Sequence, residues 1–101
     1  MQDYDLKDFK SYLMFERGLS ENTVDGYMRD LRAFYDYIDY DIKNFDLAHL
    51  DTYFSELKDD GYKVTSIRRK IVSLRQYNEF LSRTKGMKDV MSQYELPKTE
   101  K

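Results

Sequence analysis

The sequence contains no cysteine, no tryptophan and only one proline, and glycine occurs four times among 101 residues. Without cysteine, the chain forms neither disulfide bonds nor thiolate metal sites, which suits a reducing compartment. So little proline and glycine leaves few turn signals for a fold of many short strands. No apolar run approaches the roughly 18 residues that span a bilayer, and the charged N-terminal stretch is unlike a signal peptide. These absences predict a soluble, cytoplasmic, helical protein.

The chain has a small net negative charge, but its basic residues are concentrated in about a quarter of its length. The formal net charge is −2 at pH 7. Residues 1–61 carry 15 acidic and 7 basic residues, a net charge of −8, whereas residues 62–88 carry 8 basic residues and one acidic residue, a net charge of +7. A phosphate backbone responds to the local charge, so this region is a candidate for binding nucleic acid even though the average charge is negative.

Four segments repeat apolar residues every three or four positions, the spacing of amphipathic helices. The predicted helices span about residues 5–17, 21–40, 46–60 and from 65 or 66 to 85. Short breaks join them, so we expect an all-α fold, a compact bundle of four main helices. The predicted core positions are Leu6, Phe9, Tyr12 and Leu13 in the first helix; Val24, Tyr27, Met28, Leu31, Tyr35 and Ile38 in the second; Leu47, Leu50, Tyr53, Phe54 and Leu57 in the third; and Ile67, Ile71, Leu74, Tyr77, Asn78 and Leu81 in the fourth.

The polar side of the second predicted helix carries a glycine near its middle. Within a helix, Gly26 costs about 1 kcal/mol relative to alanine. A missing side chain on an exposed face lets another surface approach closely. At the start of this helix, Ser20, Asn22 and Thr23 can cap free N–H groups and can also leave a positive helix end pointed at an anion. The remaining residues of this side are Arg29 and Ala33, with Asp25 and Arg32 along its edges.

The fourth predicted helix has a similar polar side. It combines arginine, glutamine, serine and threonine, which hydrogen-bond phosphates and base edges. A charge run is more often an ordinary solvated surface, but residues 67–71 have no acidic neighbour in sequence to form compensating pairs. Two such faces in one small bundle fit the major groove of DNA, which admits a helix. The outward residues predicted here are Thr65, Arg69, Val72, Ser73 and Gln76, flanked by Ser66, Arg68 and Lys70.

Two stretches resemble the N-terminal core-binding domain of the tyrosine recombinases, the Xer and phage-integrase family. Residues 18–34 read GLSENTVDGYMRDLRAF, similar to the family pattern GLS-x-NT-x-x-x-Y-x-x-DL-x-x-F. Residues 66–81 read SIRRKIVSLRQYNEFL, similar to I-x-R-x-x-S-x-L-R-x-F-Y-x-F-L. The closing Leu96-Pro97-Lys98 resembles the lead into the catalytic domain.

The resemblance implies a SAM-like domain in which two helical hairpins cross steeply and form one half of a clamp around double-stranded DNA. It implies phosphate contacts from Thr23, Arg32 and Ser66, and groove contacts from Gly26, Arg29, Thr65, Arg69 and Ser73. Residues 1–88 are then the DNA-binding domain, and residues 89–101 a short helix or linker toward a catalytic domain. The full predicted DNA-binding set is Ser20, Asn22, Thr23, Gly26, Arg29, Arg32, Lys63, Thr65, Ser66, Arg68, Arg69, Lys70, Ser73 and Gln76.

No catalytic residue, metal site or cofactor is predicted within these residues. None of the ten tyrosines has a nearby base or oxyanion stabiliser in the pattern, and His49 lacks ligand partners. The resemblance places catalysis in a separate domain that forms a 3′-phosphotyrosyl intermediate. The predicted partners are DNA and other recombinase subunits, with the isolated domain a monomer. The alternative is a helical protein-interaction module, since aromatic residues are common at interfaces.

Overall fold

The structure, a computed structural model, describes residues 6–92 and Tyr94. Apart from turns and loops, these residues are helical, which confirms the predicted all-α bundle of four main helices. The first helix continues into a turn of π-helix, and a short 3₁₀ turn precedes the third. The elements are α1 (Leu6–Ser11), the π turn (Tyr12–Glu16), α2 (Glu21–Tyr37), the 3₁₀ turn (Ile42–Asn44), α3 (Leu47–Asp59) and α4 (Val64–Lys85).

The helix ends largely follow the sequence signals. Ser20 caps α2, and Gly86 ends α4 with a left-handed φ of 69°. However, α4 begins at Val64, before the predicted Thr65 or Ser66. Helix α2 stops at Tyr37 instead of continuing to Tyr40, because residues 39 and 40 adopt positive φ angles and turn the chain toward α3.

The core lies between α2 and α4, with α1 and α3 packed around them. Phe34 of α2 and Leu74 of α4 have no solvent-exposed surface. The hydroxyls of Tyr35 and Tyr77, both fully buried, share a hydrogen bond across these two helices. Most predicted core positions are buried as expected. Leu47 is an exception, being 48 % exposed at the first position of α3.

The chain beyond α4 packs back onto the bundle as far as it is described. The Asn78 side chain accepts hydrogen bonds from the backbone N–H groups of Val90 and Met91, at 2.9 and 3.1 Å. Met91 is fully buried, and Tyr94 donates a hydrogen bond to Asp51 of α3 at 2.9 Å. A single turn forms here, closed by a 3.0 Å bond from Tyr94 N–H to the Met91 carbonyl, and no fifth helix lies within the described residues. The Leu96-Pro97-Lys98 motif lies outside them.

None of the helices in the described residues is both long and apolar enough to cross a membrane.

Candidate nucleic-acid interface

The N-terminus of α2 is capped by its own side chains. The backbone N–H of Thr23 donates to Ser20 Oγ at 3.3 Å, and that hydroxyl donates to Thr23 Oγ1 at 2.9 Å. Ser20 and Thr23 nevertheless stay exposed, as does Asn22. The capping interpretation of Ser20 is therefore confirmed, and the short polar groups around it lie at the surface.

Gly26 is a glycine that the fold itself does not require. A Cβ atom built at this position meets no other atom within 4 Å, and the residue lies in an ordinary helical turn of α2. Neither internal crowding nor a left-handed backbone explains the glycine. Arg29, Arg32 and Ala33 are exposed on the following turns of α2. With Asp25 and Asp36 they line a shallow depression, so this surface carries charges of both signs.

Helix α2 crosses α4 at Asp30, whose carboxylate is completely buried. Ser73 Oγ donates to this carboxylate at 2.9 Å, and Lys70 Nζ donates at 3.1 Å. Arg69 adds two further bonds, from Nε at 3.3 Å and from Nη2 at 3.0 Å. Burying a carboxylate is costly unless it is paired and hydrogen-bonded. These four bonds meet that requirement and link α2 to α4.

Asp30 corrects two expectations about α4. The basic run of residues 67–71 was expected to lack a compensating acid. Helix α2 supplies one, because Asp30 pairs with Arg69 although the two residues are 39 positions apart in sequence. Ser73 was expected to face outward, yet it is fully buried against Asp30, and its Oγ also lies 3.1 Å from the Arg69 carbonyl oxygen. The Lys70 side chain is only 14 % exposed, whereas that of Arg69 is 50 % exposed. Arg69 is therefore the member of this cluster that reaches solvent.

The remaining predicted residues of α4 lie at or near the surface. Lys63 precedes the helix and provides no side-chain cap, and Lys63 and Thr65 are exposed. Ser66, Arg68 and Gln76 are half-buried.

The sequence pattern did not single out Arg17, which the structure adds to this surface. Its Nη1 donates to Gln76 Oε1 at 2.6 Å, so the segment before α2 contributes a cation beside α4. Only its basic character and its place just before Gly18 could have suggested it. Asp30 was also missed, although it lies between Met28 and Leu31 at the edge of the apolar stripe of α2.

Two tyrosine hydroxyls, those of Tyr53 and Tyr94, have a raised pKa. Burial raises the pKa of Tyr53 to about 12, and the nearby charge of Asp30 adds to the effect. Burial likewise raises the pKa of Tyr94, with the hydrogen bond to Asp51 as a second cause. A hydroxyl that stays protonated at neutral pH needs an adjacent base to act as a nucleophile. Within the described residues, no group of three or more histidine or acidic side chains is arranged to hold a metal ion.

Comparison with known proteins gives consistent matches. The profile described as "Phage integrase, N-terminal SAM-like domain" matches residues 6–85. The chain is 34 % identical over 99 residues to the tyrosine recombinase XerD of Listeria monocytogenes serotype 4b, covering 92 % of this chain and 33 % of that protein. It is 36 % identical over 91 residues to the XerD of Oceanobacillus iheyensis, covering 82 % and 30 %. The XerD of Haemophilus influenzae is 34 % identical over 96 residues, covering 88 % and 32 %.

The chain thus spans about a third of the length of the curated relatives it matches. No solved structure gives a significant match. The profile match covers α1 through α4, including both polar faces and the Asp30 crossing. The chain therefore belongs to the family of N-terminal SAM-like domains of phage integrases.

Proposed function

We propose that this domain binds double-stranded DNA and forms the N-terminal half of the DNA clamp of a tyrosine site-specific recombinase. The recombination role is supported by the family profile and by the XerD relatives. The strand-transfer chemistry is assigned to other parts of such a recombinase. For this domain, the proposed task is to grip the duplex and position it.

The observation that carries the proposal is the ion-pair cluster around Asp30, which links α2 to α4 beside the polar residues of both helices. Gly26 precedes Asp30 by four residues, about one helical turn or 6 Å along α2. Asp30 in turn holds Arg69 of α4, half of whose side chain is exposed. Gly26 and Arg69 therefore lie near the same crossing, which supports a single continuous surface. An α-helix fits the major groove, and a glycine there allows closer approach.

Within this proposal, the residues divide into two roles. Thr23, Arg32 and Ser66 contact phosphates, which fix the register of the protein on the duplex but carry no sequence information. Arg29 and Arg69 reach base edges or the flanking phosphates from the two crossing helices. The predicted contact by Ser73 is withdrawn, because its hydroxyl is committed to Asp30.

DNA affinity as a function of salt concentration tests this proposal. Binding should weaken as salt rises, with a log–log slope of about −0.9 for each phosphate neutralised. Arg69→Ala should lower the affinity for duplex DNA by about 1–3 kcal/mol, because it removes a charge-assisted contact to a base or a phosphate. Lys58→Ala, which removes an exposed cation from the end of α3, is the matched control and should have little effect. Equal losses in the two variants would contradict the assignment of Arg69.

A second candidate function is supported by one exposed aromatic residue. Phe15, in the π turn after α1, is 80 % exposed, although a phenylalanine is normally buried. Aromatic side chains are enriched at protein interfaces, so this position suits contact with another recombinase subunit. Both functions are compatible, because Phe15 belongs to neither of the two polar faces.

A further inference from the structure

We propose that Asp30 is a positioning residue that holds the Arg69 side chain ready to receive a DNA phosphate. This inference rests on the proposed DNA-binding function and deepens it. The role falls to Asp30, which is negatively charged like DNA. A search for cationic DNA contacts therefore overlooks it.

The geometry of the ion pair leaves the outer edge of Arg69 available. A guanidinium group is planar and carries five N–H donors in a fixed fork. Asp30 accepts from Nε and Nη2, which form one side of that fork. The opposite edge, formed by Nη1 and the second hydrogen of Nη2, remains directed away from the carboxylate. That edge matches the oxygens of a phosphate group, so Arg69 can hold Asp30 and a phosphate together.

The surroundings of Asp30 make this arrangement rigid. Its carboxylate is buried and is also held by Ser73 and Lys70, so it cannot follow the arginine into solvent. Lys70 is itself confined, with its ammonium group 5.6 Å from the centre of the Tyr62 ring. A long arginine side chain normally loses rotamer freedom when it binds a ligand. Here Arg69 has already lost much of its rotamer freedom on folding, so its guanidinium group is positioned before DNA binds.

Simple electrostatics and positioning predict opposite effects for Asp30→Asn. The substitution removes one negative charge, so attraction to DNA alone would tighten binding. If Asp30 positions Arg69, the variant should instead bind DNA about tenfold more weakly, the size of one lost charge-assisted contact. Its salt slope should also become shallower by about 0.9, because one phosphate contact is lost.

Asp25→Asn is the matched control, since it removes an exposed acid from the same helix. It should tighten binding by up to about threefold and leave the salt slope unchanged. An Asp30→Asn variant that binds DNA as tightly as the wild type, or gains as much as Asp25→Asn, would overturn the positioning role. If the wild type shows no salt-dependent binding to duplex DNA, the proposed function and this inference fail together.

A measurement on the wild-type chain decides the question even if Asp30→Asn does not fold. Nitrogen-15 spectra of the Arg69 side chain report on Nε–H and on the two Nη groups separately during a titration with duplex DNA. We expect the Nε–H signal to keep its position and slow solvent exchange while the Nη signals shift. A large change at Nε would mean that the arginine leaves Asp30 to bind DNA, and the inference would be wrong.

Discussion

Gly26→Ala should stabilise the fold while weakening DNA binding. The new Cβ meets no atom within 4 Å and the backbone is helical, so nothing in the structure offsets the gain in helix propensity. That gain is about 1 kcal/mol. For a domain of this size it raises Tm by about 4–8 °C. If DNA approaches Gly26 closely, the same methyl group obstructs the interface, so affinity should fall although the fold is firmer.

Thermal or urea unfolding followed by circular dichroism measures the first effect, and a duplex-binding titration measures the second. Gly86→Ala is the matched control, because a side chain at Gly86 also meets open space but the backbone there has a φ of 69°. It should destabilise the fold by about 1–2 kcal/mol, since an L-residue is strained in this region. A Gly26→Ala variant that is less stable than the wild type would refute the reasoning about the fold. A Gly26→Ala variant that binds DNA with wild-type affinity would show that Gly26 is not part of the interface.

Three further predictions concern stability. Asp30→Ala should lower the free energy of unfolding by about 3 kcal/mol, because it leaves the largely buried Lys70 ammonium without its carboxylate partner. Lys70→Met should lower it by about 1 kcal/mol or less, and urea unfolding compares the two variants. Asp46→Ala should cost about 1 kcal/mol at pH 7 by removing the α3 cap. The backbone N–H and side chain of His49 lower the pKa of Asp46 below its ordinary 3.8. The stabilisation by Asp46 is therefore fully present above pH 3.8 and is lost as the pH falls through the pKa of Asp46 in the folded protein. Unfolding of the wild type and the variant at about pH 7 and about pH 2 checks this. Asn78→Ala should cost about 2–3 kcal/mol and accelerate hydrogen exchange at the Met91 amide, which bonds to Asn78.

The fold was largely readable from the sequence because local signals decide it. Apolar spacing marked four helices, while Ser20 and Gly86 marked two of their ends. The errors lie where tertiary structure overrides local preference. Tyr40 was expected to remain helical, but the chain turns there with a φ of 56° to reach α3. Leu47 was expected in the core, but as the first residue of α3 it lies outside the packed stripe.

The candidate site was only half predictable, for a physical reason. Helical periodicity identifies which residues share a face of one helix, so the exposed positions Arg29 and Arg69 and the half-buried Gly26 were found. Periodicity does not show which charges meet across two helices. The pairing of Asp30 with α4 depends on the crossing of helices far apart in the chain, and the buried position of Ser73 follows from it.

An amide chemical-shift titration with duplex DNA tests the central claim most directly. If the two polar faces bind DNA together, the largest shifts should fall near Gly26 on α2 and Arg69 on α4, with little change at exposed positions of α3 such as Lys58. Shifts confined to α1 and the region of Phe15, with α2 and α4 unaffected, would contradict the account and favour a surface for protein partners.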